Sequence, residues 1–258
     1  MMRRVGILGG MGPQATILIM QKILDATRVR DDADHIPLIV DQNPQVPSRI
    51  RHLIDGTGAD PGPVLADMAR RLVAAGAEAL AMPCNTAHHY APAIRAAVDV
   101  PLLNMVDLAV ARAAALAGPG SPVGILASPA VRKVGLFDAA LSQRGLRAVY
   151  APDEAAMLAA IRQIKADGPR PEARRALRAA SAALAAQGAT VQMIACTEFS
   201  LIAEAVDKTA ATFDSMDCIV QAIVTFARKS PNKGANGHRA PAPKLAKRRS
   251  NPTMEERR

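Results

Sequence analysis

The chain has 258 residues, half of them apolar, which is enough to build a sizeable core and too much for a wholly disordered polypeptide. Its formal charge of +9, from 32 Lys and Arg against 23 Asp and Glu, suggests a polyanionic partner, yet residues 229–258 alone carry +7 and leave +2 for the first 228. A basic surface spread over the whole protein is thereby excluded, and no stretch approaches the roughly 18 uninterrupted apolar residues of a membrane span.

The opening Met1-Met2-Arg3-Arg4 is basic, but Gly9, Gly10 and Pro13 interrupt the apolar run behind it, too early for the core of a signal peptide. From there short apolar runs alternate with longer amphipathic stretches, the pattern of parallel strands joined by crossover helices. Strands are predicted at 4–8, 37–40, 79–82, 123–127, 147–150 and 191–195. Helices are predicted at 14–27, 64–75, 106–117, 154–166, 172–187 and 216–228, several stopping at a glycine such as Gly76, Gly118, Gly168 or Gly188. The fold class is α/β.

A weak repeat divides the chain. Val5-Gly6-Ile7-Leu8 returns as Val123-Gly124-Ile125-Leu126, and 79 and 73 residues after the first Val of each copy a strand ends in a cysteine followed by small polar residues, Cys84-Asn85-Thr86 and Cys196-Thr197-Glu198. This implies two similar parallel-sheet lobes, residues 1–103 and 104–206, with 207–228 returning to the first. Residues 229–258, rich in Pro, Gly, Asn, Lys and Arg, lack the apolar residues that offset ordering entropy and are expected to be a disordered basic tail. That tail has no aromatic residue to stack on bases, so nucleic acid is not the expected partner.

Ligands of open parallel sheets bind at the carboxyl ends of strands, where Cys84 and Cys196 both fall. The free N–H groups and dipole of a following helix would lower a thiol from its usual value of about 8.5. If the lobes face one another, the two cysteines approach one cleft from opposite sides. Such a pair could take a proton from one face of a carbon and return one to the other, provided one sulfur is thiolate and the other thiol. Cys218, in an apolar helix, has no partner motif. An odd cysteine count argues against a secreted disulfide framework and for a reducing, cytoplasmic setting.

Gly9-Gly10-Met11-Gly12-Pro13-Gln14-Ala15-Thr16, Asn43-Pro44-Gln45-Val46-Pro47-Ser48-Arg49, Met82-Pro83-Cys84-Asn85-Thr86-Ala87-His88 and Cys196-Thr197-Glu198 resemble the signatures of the aspartate racemase branch of the aspartate/glutamate racemase superfamily. The resemblance spans about residues 4 to 228. It implies an isomerase without cofactor, free of pyridoxal phosphate, in which Cys84 and Cys196 exchange the roles of base and acid, and it suggests a homodimer. It also implies substrate-binding roles for Arg49, which brings a guanidinium to a carboxylate, for Lys165, and for Asn85, Thr86 and Thr197, with Met11 and Glu198 completing the set. Read without it, Lys165 is a surface charge near a helix end. Met11 in the first glycine loop and Glu198 after the second cysteine match the aspartate type rather than the glutamate type. Two departures bear on substrate identity: Ala195 stands where a glycine is common, and Ser128-Pro129-Ala130 replaces a Thr-Gly-Thr-like loop, with Pro129 lacking an N–H. A racemase of broader amino-acid range is the alternative within the family.

Three other readings compete. Gly10-Met11-Gly12-Pro13-Gln14-Ala15 fits a dinucleotide fingerprint, although its acidic partner, Asp41, arrives late and both cysteine motifs stay unexplained. Cys84, His88 and His89 cluster as a metal site would, but without a second ligand pair, so no metal is expected and a histidine at the cleft rim is the simpler reading. A non-catalytic amino-acid sensor would share the fold without needing both thiols.

Overall fold

The computed structural model of the protein describes residues 2–206 and 209–229. Strands β1 (Val5–Gly9), β2 (Leu38–Gln42), β3 (Ala79–Ala81) and β4 (Leu102–Leu103) make one parallel sheet in the order β2-β1-β3-β4. Strands β5 (Pro122–Ala127), β6 (Arg147–Tyr150), β7 (Val191–Ala195) and β8 (Ala211–Asp214) repeat that order as β6-β5-β7-β8. Two lobes are present as expected, but their boundary differs: β8 keeps residues 211–214 in the second sheet, where 207–228 were expected to return to the first, and only the last helix, Ser215–Arg228, makes that return. The short edges β4 and β8 were not foreseen, because two to four residues flanked by proline or polar residues carry too little alternation to stand out.

Helices α1 (Pro13–Asp25), α2 (Gly62–Ala74), α3 (Ala91–Ala97), α4 (Met105–Leu116), α5 (Pro129–Lys133), α6 (Asp138–Ser142), α7 (Glu154–Asp167), α8 (Pro171–Ala186) and α9 (Ser215–Arg228) cover both faces of the sheets. Alternation along each strand sorts the cores. Val5 and Ile7 of β1 pack with α1 and α9, whereas Leu8 and Leu80 face α2 and α3. In the second lobe Val123, Ile125 and Met193 meet α4 and α6, and Leu126 and Ile194 meet α7 and α8.

The repeated glycine has a packing reason. A Cβ on Gly6 would come within 3.1 Å of Leu72 Cβ and 2.9 Å of Ala77 Cβ, and one on Gly124 within 3.2 Å of Leu184 Cβ and 3.1 Å of Ala189 Cβ. Those neighbours occupy matching places in the two lobes, so each glycine admits a helix, α2 or α8, close onto its sheet.

The lobes also exchange a helix. After β4 the chain enters α4, whose Val106, Ala109, Val110 and Ala113 pack on the second sheet. After β8 it enters α9, whose Met216, Ile219, Val220, Ile223 and Val224 pack on the first. Asn104 and Asp214 cap the two helices equivalently, accepting from Val106 N–H at 2.9 Å and from Met216 N–H at 2.8 Å. At roughly 1.5–3 kcal/mol per fully buried aliphatic side chain, the α9 stripe ties the end of the chain firmly to its beginning. Lys229 follows α9, and the rest of the expected basic tail lies outside the described residues. Among the described residues no helix is long and apolar enough to cross a membrane.

Candidate active site

The carboxyl ends of β1, β2, β3, β5 and β7 converge on a cleft between the lobes. It holds a cavity of about 410 Å³ lined by Met11, Arg49, Cys84 and Thr86 of the first lobe and by Ser128, Lys165, Cys196 and Glu198 of the second. The glycine loop after β1 owes its shape to Gly10. Its φ is +90°, and a Cβ there would lie 2.3 Å from the backbone of Asn43, so only glycine lets the loops after β1 and β2 touch. Thr16 Oγ1 holds that loop by accepting from Gly10 N–H at 2.9 Å.

Cys84 and Cys196 follow β3 and β7 and are buried, as expected of repeat-equivalent positions. Their surroundings correct the expected helix effect. Each cysteine leads into a tight 3₁₀ turn, at Thr86–Tyr90 and Phe199–Ala205, rather than a long α-helix whose dipole would favour a thiolate. Burial pushes the Cys196 thiol well above its ordinary value, and the Glu198 carboxylate raises it further by accepting from Sγ at 3.1 Å. Lys165 Nζ stands 2.7 Å from the other Glu198 oxygen. Burial disfavours the Lys165 charge, but that carboxylate outweighs it and the ammonium ends raised. A chain of contacts Cys196–Glu198–Lys165 therefore runs from one thiol along the cavity wall.

Beneath the cavity each cysteine loop is fastened to the start of an exchanged helix. The buried His88 ring lies 2.9 Å (Nδ1) from the Cys84 carbonyl, and Nε2 accepts from Met105 N–H, the first residue of α4, at 3.0 Å. Burial pushes the imidazole down to about 4, so it is neutral at pH 7 and these bonds fix its tautomer, with Nδ1–H donating. His88 is thus a core pin, and of the two histidines the sequence offered for the cleft rim, His88 and His89, it is not the one at the surface. In the other lobe Ser200 Oγ donates to Asp214 Oδ1 at 2.9 Å, and Asn85 Nδ2 donates to Ser215 Oγ at 3.0 Å, so the start of α9 touches both cysteine loops. His88→Leu would strand the Met105 N–H and the Cys84 carbonyl. The expected cost is about 1–3 kcal/mol per group, read as a fall in thermal midpoint of several degrees.

A family model described as Asp/Glu/Hydantoin racemase matches residues 8–223, almost all of the described chain. The protein belongs to the Asp/Glu/hydantoin racemase family. It is accordingly a member of a family of isomerases. The chain is similar to the broad specificity amino-acid racemase RacX of Bacillus subtilis, 23% identical over 86% of this chain and 96% of that one. The aspartate racemase of Picrophilus torridus shares the fold with a TM-score of 0.74 and 23% identity over 87% of this chain and 94% of that one. The glutamate racemase RacE1 of Bacillus anthracis does so at 0.63 and 15%, over 86% and 80%.

Within this racemase framework the predicted residues separate. Met11, Arg49, Thr86, Lys165 and Glu198 line the cavity with the two cysteines. Asn85 and Thr197, 1% exposed, lie behind the lining, where Asn85 Oδ1 and Thr197 Oγ1 have no hydrogen-bond partner. Arg49 is braced by donating from Nη1 to the carbonyls of Val46 at 3.2 Å and Pro47 at 2.8 Å. Ser128 also lines the cavity, and its Oγ caps α5 by accepting from Ala130 N–H at 3.1 Å, so Pro129 sits at a first-turn position where an N–H would be unpaired anyway. Sequence reasoning missed Arg51, Asp55 and Arg162. Arg51 and Asp55 bound a single π-type turn that no local pattern announces. Arg162 lies three residues before Lys165 on α7, a spacing that puts both on one helix face and could have found it.

The competing readings fare less well. Asp41, the would-be ribose ligand, accepts from Arg71 Nη2 at 2.6 Å. Both ring nitrogens of His88 are engaged within the protein, and among the described residues no three His, Cys, Asp or Glu side chains gather as a metal set.

Proposed function

We propose that the protein is an amino-acid racemase that works through Cys84 and Cys196 without a cofactor, and that aspartate is a substrate. The observation that carries this reading is that the two cysteines, from equivalent strands of two lobes, line one cavity together with four cations, Arg49, Arg51, Arg162 and Lys165, against two carboxylates, Asp55 and Glu198. A dicarboxylate with one ammonium group complements that surplus of positive charge.

In one direction the Cys84 thiolate removes the α-proton. The C–H bond breaks, an S–H bond forms, and the electron pair left on Cα spreads into the α-carboxylate as an enolate. Cys196, held protonated by burial and by Glu198, gives its proton to the opposite face and becomes the thiolate. The reverse reaction exchanges the roles. Cationic groups fixed around the carboxylates stabilise charge that develops in the transition state, an effect that grows as the lobes exclude water.

The test is α-deuterium incorporation into L- and D-aspartate in D2O with no added cofactor, together with chiral analysis of the product. Absence of both exchange and inversion would refute the reading. Arg49→Ala should raise KM for aspartate by about tenfold or more while changing kcat less, because a charge-assisted contact contributes roughly 1.5–3 kcal/mol and is present in ground and transition states alike. A KM that stays put would remove Arg49 from carboxylate binding. RacX, whose name records broad specificity, favours a second reading in which aspartate is one substrate among several.

A further inference from the structure

The chain crosses between the lobes at Asn104-Met105, into α4, and at Asp214-Ser215, into α9, and the two crossings differ. Asp214 ends β8 in the second sheet, and its Oδ1 accepts from the hydroxyl of Ser200, four residues beyond Cys196. Ser215 opens α9 on the first lobe, and its Oγ accepts from Nδ2 of Asn85, the residue after Cys84. All four residues are buried. One cysteine loop is therefore joined to the other by hydrogen bonds of 3.0 and 2.9 Å with a single peptide bond between them.

The other crossing lacks this path. Met105 stands where Ser215 does and has no hydroxyl, and Thr197, which follows Cys196 as Asn85 follows Cys84, leaves Oγ1 without a hydrogen-bond partner. At the cleft mouth Lys133 Nζ donates across the lobes to the Ile54 carbonyl at 3.0 Å, but that bond is exposed and water competes for both groups. A buried polar pair adds little net stability over an apolar pair of the same shape. What it adds is one defined spacing, because any other leaves its groups unpaired away from water.

We infer that Asn85, Ser200 and the Asp214-Ser215 crossing are positioning residues that set the separation of the Cys84 and Cys196 sulfurs across the cleft. This rests on the racemase reading, in which the two thiols must reach opposite faces of one carbon, and adds what holds them at that spacing.

The experiment follows aspartate in D2O with the wild type, Ser215→Ala, Ser200→Ala and the double variant. It reads two rates: deuterium entering the recovered enantiomer, which needs one thiol, and deuterium entering the inverted product, which needs both in place. Each single variant should lower kcat for inversion by about tenfold or more and raise the ratio of exchange to inversion by about fivefold or more, the order of loss that misplacing a reacting group brings. KM should stay within about twofold, because Arg49 and Lys165 are untouched. The two bonds act in series, so the double variant should lose no more than about twice what the worse single variant loses. Ser181→Ala removes another buried serine contact, 2.7 Å from Ser181 Oγ to Gln192 Oε1 between α8 and β7, and as the control should leave the ratio within about twofold. Thermal melts set a temperature at which every variant is folded. Should Ser215→Ala melt too early, Ser200→Ala breaks the same path from the second lobe. A fall in kcat with an unmoved ratio overturns the inference and leaves the racemase reading standing. Losses that multiply in the double variant, or a ratio that moves in Ser181→Ala, overturn it as well. No exchange of aspartate by the wild type overturns both readings together.

Discussion

Replacing either cysteine by serine is expected to lower racemisation of aspartate by roughly a thousandfold, within the span attributed to a positioned acid or base, while leaving part of the hydrogen exchange intact. The asymmetry is what makes the result diagnostic. With Cys196→Ser the Cys84 sulfur can still remove the α-proton of one enantiomer, exchange it with solvent and return deuterium to the same face. With Cys84→Ser only the other enantiomer exchanges. Each variant should therefore incorporate deuterium into one enantiomer without inverting it, and the favoured enantiomer should switch between the two variants. A serine hydroxyl nearly fills the space of the thiol, and a buried hydroxyl without a partner costs about 1–3 kcal/mol, so thermal melts of both variants separate lost chemistry from lost fold. Full racemisation by either variant would sink the two-thiol mechanism.

Much of this arrangement was legible because the same physical demand is written twice. Gly6 and Gly124 are needed where a helix presses onto a central strand, and the cysteines follow the equivalent strands β3 and β7, so repetition pointed to both the lobes and the candidate site. The return of the last helix could be read from its stripe at Met216, Ile219, Val220, Ile223 and Val224, which demands a face to cover. What escaped depends on meetings between distant segments. Nothing local marks Lys165 as the partner of Glu198, and the sequence left His88 and His89 as equal candidates for the rim because the amide His88 satisfies belongs to Met105, on the far side of β4. The expected helix dipole does not govern Cys196 for a related reason. Burial and a neighbouring carboxylate, rather than the element next in sequence, determine the proton there.

Those two thiols are alike in position and unlike in surroundings. Glu198 gives Cys196 an acceptor for its proton, whereas Cys84 is fastened through its backbone carbonyl to His88. Under the proposed mechanism, in which the pair carries one proton between two sulfurs, such inequality is an advantage, because the charge then has a preferred location.

Glu198→Gln tests where that location is set. The amide keeps the length of the side chain but cannot serve both neighbours as the carboxylate does. With its oxygen turned to Lys165 it presents an N–H to Cys196, and a donor stabilises the thiolate where an anion stabilised the thiol. Removing the negative charge and leaving the Lys165 ammonium uncompensated act in the same direction, so the Cys196 thiol should fall from its raised value. Under the proposed two-thiol mechanism activity requires that one of the two sulfurs keep its proton, so it should be lost as pH rises far enough to remove both. A raised thiol extends activity to higher pH. In Glu198→Gln the alkaline limb of the kcat/KM profile should therefore move to lower pH, and at neutral pH turnover should drop by about 10- to 100-fold, since proton return to the second face loses its prepared donor. Glu198→Asp, which retains the charge on a shorter arm, should keep the alkaline limb closer to that of the wild type even where its rate is reduced. An alkaline limb unmoved in Glu198→Gln would mean that burial alone keeps the proton on Cys196, and that Glu198 serves only as the counter-ion of Lys165 in the cavity wall.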